Sequence, residues 1–252
     1  MRLLVTRPEP DNARTAATLR ARGHDVMLAP MLRIEPIVGA DLGAPPWSAI
    51  LLTSANGARA IAVHPRRDEL ATLPVLAVGG GSADAAREAG FADVTSADGD
   101  ARDLVRLASA RFSGVRTPLL YLAGENRAAD IAGVLSKHGL AVRTVVVYRA
   151  MPATGFPSVV RTALAAGAVD GVLHFSRRSA ESYLACGRDI IAPSLAPAHY
   201  CLSERTAEPL QRAGAGRVEV ASHPDEPSLL ALVGADAVRG DATPKPRSNR
   251  LE

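Results

Sequence analysis

The sequence predicts an α/β chain of two similar domains, each built on a parallel sheet with helices on both faces. Three observations carry this. Short aliphatic and β-branched runs alternate with helical stretches along the chain, as strands joined by crossover helices require. One βα unit is stated twice: a shift of 116 places lays Leu3-Leu4 on Leu119-Leu120, Glu9 on Glu125, Leu19 on Leu135, Gly23 on Gly139 and Val26 on Val142. Two further matches follow in the same order. Ile50-Leu51-Leu52-Thr53-Ser54 answers to Val172-Leu173-His174-Phe175-Ser176, and Gly81-Ser82-Ala83-Asp84 answers to Arg205-Thr206-Ala207-Glu208. Ordered matches at nearly constant offset read as an internal duplication.

Length and composition agree with this. The 252 residues suffice for two modest domains with cores of their own, and 47% apolar with 22% charged content is ordinary for a globular protein. The opening apolar segment is too short for a signal peptide, and no run approaches the ~18 apolar residues of a membrane span. With only Cys186 and Cys201, the chain is expected in the cytoplasm, without disulfides, as a monomer. The net charge is only +3, although the pI is near 9.2, and Lys137 and Lys245 are the sole lysines. Aromatics at 4% and the absence of a basic run disfavour nucleic acid.

Taken in order, residues 2–6 read as a buried strand. Pro8, Glu9 and Asp11 start a helix that Gly23 ends. Residues 26–29 form a second strand, and 30–36 an extended, proline-bracketed connector. A strand at 49–52 ends in Thr53-Ser54 before a helix, 65–68 is a charged turn, and 75–78 is a strand. Gly79-Gly80-Gly81-Ser82 follows, with an Ala-rich helix behind it. A short strand at 94–95 and a helix at 101–111 complete the first half. Residues 119–122 are the next strand, with a turn at Ala123-Gly124. Glu125-Asn126 opens a helix whose inward residues are Ala128, Ile131, Val134 and Leu135, and Gly139 stops it. The run Val145-Val146-Val147-Tyr148 then ends at Met151-Pro152, matching the first connector. The remaining strands lie at 171–175, 199–202 and 218–221, each followed by a helix, the last reaching about residue 238. Residues 240–252 carry prolines and charge without apolar period. They are expected to be disordered, with Leu251-Glu252 a cloning remnant.

Ligands of such folds bind outside the carboxyl ends of the strands. That places Thr6-Arg7, Thr53-Ser54, residues 79–82, Ser176 and residues 203–206 on functional edges, and two facing domains would line a cleft with helix N-termini suited to anions. The Gly-rich loop lacks the later glycines of a dinucleotide fingerprint and the lysine of a P-loop. The six histidines are isolated, so no metal site is expected. Ser176 has a strand–turn–helix setting without a matched base, and it suffices as a helix cap. Tyr148, on the matched connector, is the candidate for chemistry: a phenol of unperturbed pKa about 10 is protonated at neutral pH and can donate a proton or hydrogen bond.

Leu4-Val5-Thr6-Arg7-Pro8, Leu52-Thr53-Ser54-Ala55-Asn56, Ala77-Val78-Gly79 with Ser82, Val146-Val147-Tyr148-Arg149, Phe175-Ser176 and Thr206-Ala207 resemble the uroporphyrinogen-III synthase family, in its order and spacing over about residues 2–235. The resemblance implies two flavodoxin-like domains, one from 1–34 plus 153–238 and one from 37–145. Linker strands at 30–36 and 146–152 join them, with the cleft between. It implies a carbon–oxygen lyase that closes the linear tetrapyrrole hydroxymethylbilane with loss of water and inversion of ring D, using no metal or organic cofactor. By matching position, Tyr148 is the general acid that assists departure of the hydroxyl. Arg7, Ser54, Ser82, Ser176 and Thr206 are the substrate-binding residues. At Ser82 the chain departs from the threonine-ended turn that relatives carry. Two other readings stay open on the residues alone. One is a hinged two-domain binding or sensor module for a polyanionic small molecule. The other is a nucleotide-dependent enzyme resting on Gly79-Gly80-Gly81.

Overall fold

The computed structural model describes residues 1–127 and 129–240, and the expected tail from 241 onward lies outside them. The chain folds as β1 (Arg2–Val5), α1 (Asp11–Ala21), β2 (Asp25–Leu28), β3 (Leu32–Pro36), β4 (Ile50–Leu52), α2 (Ala55–Ala62), α3 (Arg67–Leu70), β5 (Val75–Ala77), α4 (Gly80–Glu88), β6 (Val94–Ser96) and α5 (Ala101–Arg111). It continues as β7 (Leu119–Gly124), α6 (Ile131–Lys137), β8 (Val142–Pro152), α7 (Ser158–Ala165), β9 (Gly171–His174), α8 (Arg177–Cys186), α9 (Ile191–Leu195), β10 (Ala198–Cys201), α10 (Glu204–Arg212), β11 (Val218–Val220) and α11 (Glu226–Gly240). A 3₁₀ turn at Arg188–Ile190 leads into α9.

Two compact units result, one from Met1–Arg33 and the chain after Pro152, the other from Ile34–Met151. The first sheet runs β11-β10-β9-β1-β2, and its strand pairs are parallel. Numbered within their own unit, these strands lie in the order 2-1-3-4-5, the doubly wound arrangement whose switch point falls between β1 and β9. The second sheet runs β3-β8-β7-β4-β5-β6. Apart from the edge strand β3 it has the same spatial order with a different chain order. There β7 and β8 take the places of β1 and β2, and the switch point falls between β7 and β4. The duplicated βα unit therefore joins, each time, the three strands of the other half of the chain. Gly23 (φ 83°) and Gly139 (φ 77°), matched by the 116-place shift, both turn the chain in the left-handed region after their helices.

Each sheet buries both faces, because alternate residues of a strand point to opposite sides. Leu3 and Val5 join the cluster of Ala16, Leu19 and Leu229 under α1 and α11, whereas Leu4 joins Val160, Ala180 and Leu210 under α7, α8 and α10. In the second unit Ile50 and Leu52 pack with Ala58, Ile61 and Ala86 of α2 and α4. Leu51 packs with Leu104, Ala108 and Leu135 of α5 and α6. This accounts for the apolar character of central strands such as β4 and β7, which are buried throughout.

Several expectations need correction. Glu125-Asn126 does not open a helix: β7 extends through Gly124, and α6 begins at Ile131, where the Asp130 side chain accepts the backbone N–H of Gly133 at 2.9 Å. Of the residues expected to face inward, Ile131 and Leu135 are buried and Val134 is exposed; Ala128 is outside the described residues. The turn at Pro65 contains a four-residue helix, α3. The Gly-rich run is itself the first turn of α4, which starts at Gly80. Strand β8 passes through Met151 to Pro152, since proline is tolerated where a strand ends and gives up no ladder bond there. Helices α7 and α9 have no counterpart in the sequence reading.

Candidate active site

The bonding of β8 to β7 sets the geometry of Tyr148. The two strands pair in register from Leu119↔Val142 to Ala123↔Val146, and then skip a residue to Gly124↔Tyr148. This bulge leaves Val147 as the extra residue, buried against the core, and re-aims the residue after it. The backbone N–H of Glu125 donates to the carbonyl of Tyr148 at 3.0 Å, and the carboxylate of Glu125 meets the guanidinium of Arg149 at 3.3 Å. Tyr148 packs on the apolar cluster of the second unit and is half-buried. Its ring and hydroxyl lie directly over Gly124.

Ser54 lies two residues past β4, the neighbour of β7 across the switch point. Its hydroxyl oxygen accepts the backbone N–H of Asn56 at 3.2 Å and so caps α2. One hydrogen-bond donor, the O–H, is left to it. Thr53 and Tyr121 share a hydrogen bond of 2.9 Å beside it. Ser82 stands on the first turn of α4, after β5, almost fully buried, behind Gly79 at the N-cap.

The first unit repeats the plan. Ser176 caps α8 by accepting the N–H of Ser179 at 3.1 Å, and the two hydroxyls are 2.8 Å apart. Thr206 occupies the place on α10 that Ser82 has on α4; it is buried, and its hydroxyl meets that of Ser203 at 3.1 Å. Arg7, just past β1, lies over the ring of Phe175, 4.9 Å from its centroid. It is not a free cation. Its guanidinium bonds Glu226 at 2.5 Å and approaches Asp11 at 3.6 Å, while Thr15 donates to the same Glu226 carboxylate at 2.5 Å. The residues expected from the sequence thus fall into two sets. Arg7, Ser176 and Thr206 sit on the carboxyl edge of the first sheet; Ser54, Ser82 and Tyr148 sit on that of the second.

The family model for uroporphyrinogen-III synthase HemD matches residues 13–231. The chain belongs to the uroporphyrinogen-III synthase family. Among solved structures, the uroporphyrinogen-III synthetase of Helicobacter pylori is similar with a TM-score of 0.66 at 15% identity, covering 93% of this chain and 99% of that one. A mutant uroporphyrinogen III synthase of Thermus thermophilus gives 0.54 at 18% identity, covering 95% and 99%. Both likenesses are of fold. No curated protein matches the chain in sequence. Uroporphyrinogen-III synthases are carbon–oxygen lyases of tetrapyrrole biosynthesis, and this chain carries that family's two-sheet α/β architecture. Among the described residues no helix is long and apolar enough to cross a membrane, and no group of three or more metal-ligating side chains occurs.

Sequence reasoning missed three features, two of them beside Tyr148 and one in the interior of the first unit. The Glu125–Arg149 pair escaped because Glu125 reads as a helix start until the bulge is known. Gly124 escaped because a glycine after a strand reads as a turn. The third is a buried pair, His174 Nε2 and His199 Nδ1, 3.1 Å apart on neighbouring strands β9 and β10. Burial holds His174 well below the ordinary histidine value and pushes His199 down to about 4, so both are neutral at pH 7. A sequence spacing of 25 residues gives no hint of this contact, which only the parallel register creates.

Proposed function

We propose that this chain closes hydroxymethylbilane to uroporphyrinogen III, with Tyr148 as general acid. The match to the synthase family over residues 13–231 carries the reading, and the place of Tyr148, only partly buried on the carboxyl edge of the second sheet, supports the role given to it. A hydroxymethylpyrrole loses its hydroxyl readily once that oxygen is protonated or strongly hydrogen-bonded. The phenol O–H of Tyr148 donates to the departing oxygen, which leaves as water, and the pyrrole nitrogen lone pair stabilises the cation left behind. The substituted carbon of ring D attacks this cation to give a spiro intermediate. Cleavage of the old bond to ring D and its re-formation at the other α-carbon complete the inversion, and a final proton loss restores aromaticity.

The free bilane closes unaided to the uninverted isomer, so the protein's task is to hold the chain folded for the less accessible attack. Catalysis by positioning needs many weak anchors rather than a strong nucleophile. The substrate's acetate and propionate groups are proposed to take the N-termini of α2, α4, α8 and α10, where backbone N–H groups and the positive dipole end favour carboxylates. Ser54 adds its spare O–H donor, and Ser176 the same if Ser179 supplies the hydrogen of their shared bond. Arg7 contributes to the field of the first edge while remaining bonded to Glu226.

Purified bilane incubated with the protein, followed by separation of the oxidised isomers, tests the reading. Isomer III in excess over the buffer control is expected, and isomer I alone would overturn it. Tyr148→Phe is expected to lower turnover by about a hundredfold or more, the usual worth of a general acid.

A further inference from the structure

Gly124 is not required by a left-handed backbone. Its φ lies outside that region, and it sits at the end of β7, opposite the bulge, in a strand whose other residues carry side chains. The space above its Cα supplies the reason. A Cβ built there would lie 2.6 Å from Cζ of Tyr148, 2.8 Å from its hydroxyl oxygen and 2.9 Å from Cε2. Non-bonded carbons need roughly 3.5–4.0 Å, so one added methyl must displace the phenol by about 1 Å. The bulge at Val147 brings the ring to this spot, and the bare Cα lets it lie there.

We infer that Gly124 is a positioning residue for the reaction: by presenting no side chain, it sets where the Tyr148 hydroxyl stands above the end of β7. The inference rests on the reading of Tyr148 as general acid. The clash involves the far end of a side chain rather than backbone, so Gly124→Ala is expected to fold and to move the phenol. A misplacement of about 1 Å in a reacting group costs on the order of a hundredfold in rate. The methyl does not touch the anchors of the substrate's carboxylates, so kcat should fall ten- to a hundredfold while KM stays within about twofold.

The test compares wild type, Gly124→Ala, Tyr148→Phe and the double variant, with ¹³Cζ-labelled tyrosine. The Tyr148 resonance is identified by its loss in Tyr148→Phe. In Gly124→Ala this resonance is expected to shift while those of Tyr121, Tyr183 and Tyr200 stay in place. Gly124→Ala is expected to cost nothing further in the Tyr148→Phe background. An unmoved resonance, an unchanged kcat, or an equal loss with and without the Tyr148 hydroxyl would each overturn the inference. If Tyr148→Phe keeps full turnover, the acid reading falls by itself, and the catalytic role of Gly124 falls with it whatever the resonance does. If Gly124→Ala does not fold, Gly124→Ala/Tyr148→Leu must fold, because the obstruction is the ring; a double variant that stays unfolded would overturn the inference.

Discussion

Ser54 has an observed duty and a proposed one. Its oxygen caps α2 through the N–H of Asn56, and its O–H is the donor proposed above to bind the substrate. The two duties separate by substitution. Ser54→Ala removes the cap and is expected to cost about 1 kcal/mol, whereas Ser54→Gly costs only a few tenths, because glycine is tolerated at an N-cap. Both remove the O–H, so both should raise KM for the bilane by a similar factor. Thermal melts beside steady-state kinetics check this; a KM that rises only in the alanine variant would make Ser54 a cap alone. Arg7 shows the opposite case. Its charge is engaged by Glu226 and Asp11, so it ties the loop after β1 to the start of α11.

At the scale of elements, α6 is where local signals mislead. Glu125-Asn126 after an apolar strand satisfies the rules for a helix start, but β8 pairs with β7 beyond that point and holds residues 124 and 125 in the ladder. The helix waits for Asp130 and turns Val134 outward. Leu135→Ala is therefore expected to lose about 2–5 kcal/mol, the range for a fully buried leucine, and Val134→Ala less than about 0.5. Chemical denaturation of the two variants measures the difference. Equal losses would mean that α6 buries the face drawn from sequence periodicity rather than the observed one.

For the whole molecule, the duplication gives two sheets of one order but not two identical interiors. The first unit buries the His174–His199 pair beside Tyr183, whose ring centroid lies 5.1 Å from that of His174. Both histidines bind protons less well folded than unfolded, mainly because burial penalises the imidazolium. Above about pH 6.5 both states are neutral and the stability is intact. As pH falls from there, the unfolded chain takes up protons that the folded one refuses, so stability falls; the loss due to His199 is complete below about 4, and His174, also held well below the ordinary histidine value, adds to it. Cys186 and Cys201 report on this unit, since both thiols are free and buried, and burial pushes Cys201 up to about 12. Trp47, the sole tryptophan and a buried one, reports on the other. On acidification the thiols are expected to become reactive toward dithiodipyridine before the Trp47 emission shifts, and His199→Gln should narrow the gap. Simultaneous transitions in wild type would overturn the assignment.

The chain's own letters settle a good deal: two α/β halves, the repeated βα unit, the strands, the helices with strong caps such as α5, and the hydroxyls that follow β4 and β9. Each of these is written in local period and turn chemistry, within a few residues of where it acts. Which half of the chain each repeated unit joins came from the family resemblance rather than from local pattern. Tertiary structure decided the bulge that brings Tyr148 over Gly124, the start of α6, the capture of Arg7 by Glu226 and the meeting of two distant histidines. All four depend on strand register or on packing between segments far apart in sequence. Register is fixed by which faces can be buried together, a property of the assembled sheets that no window of neighbouring residues contains.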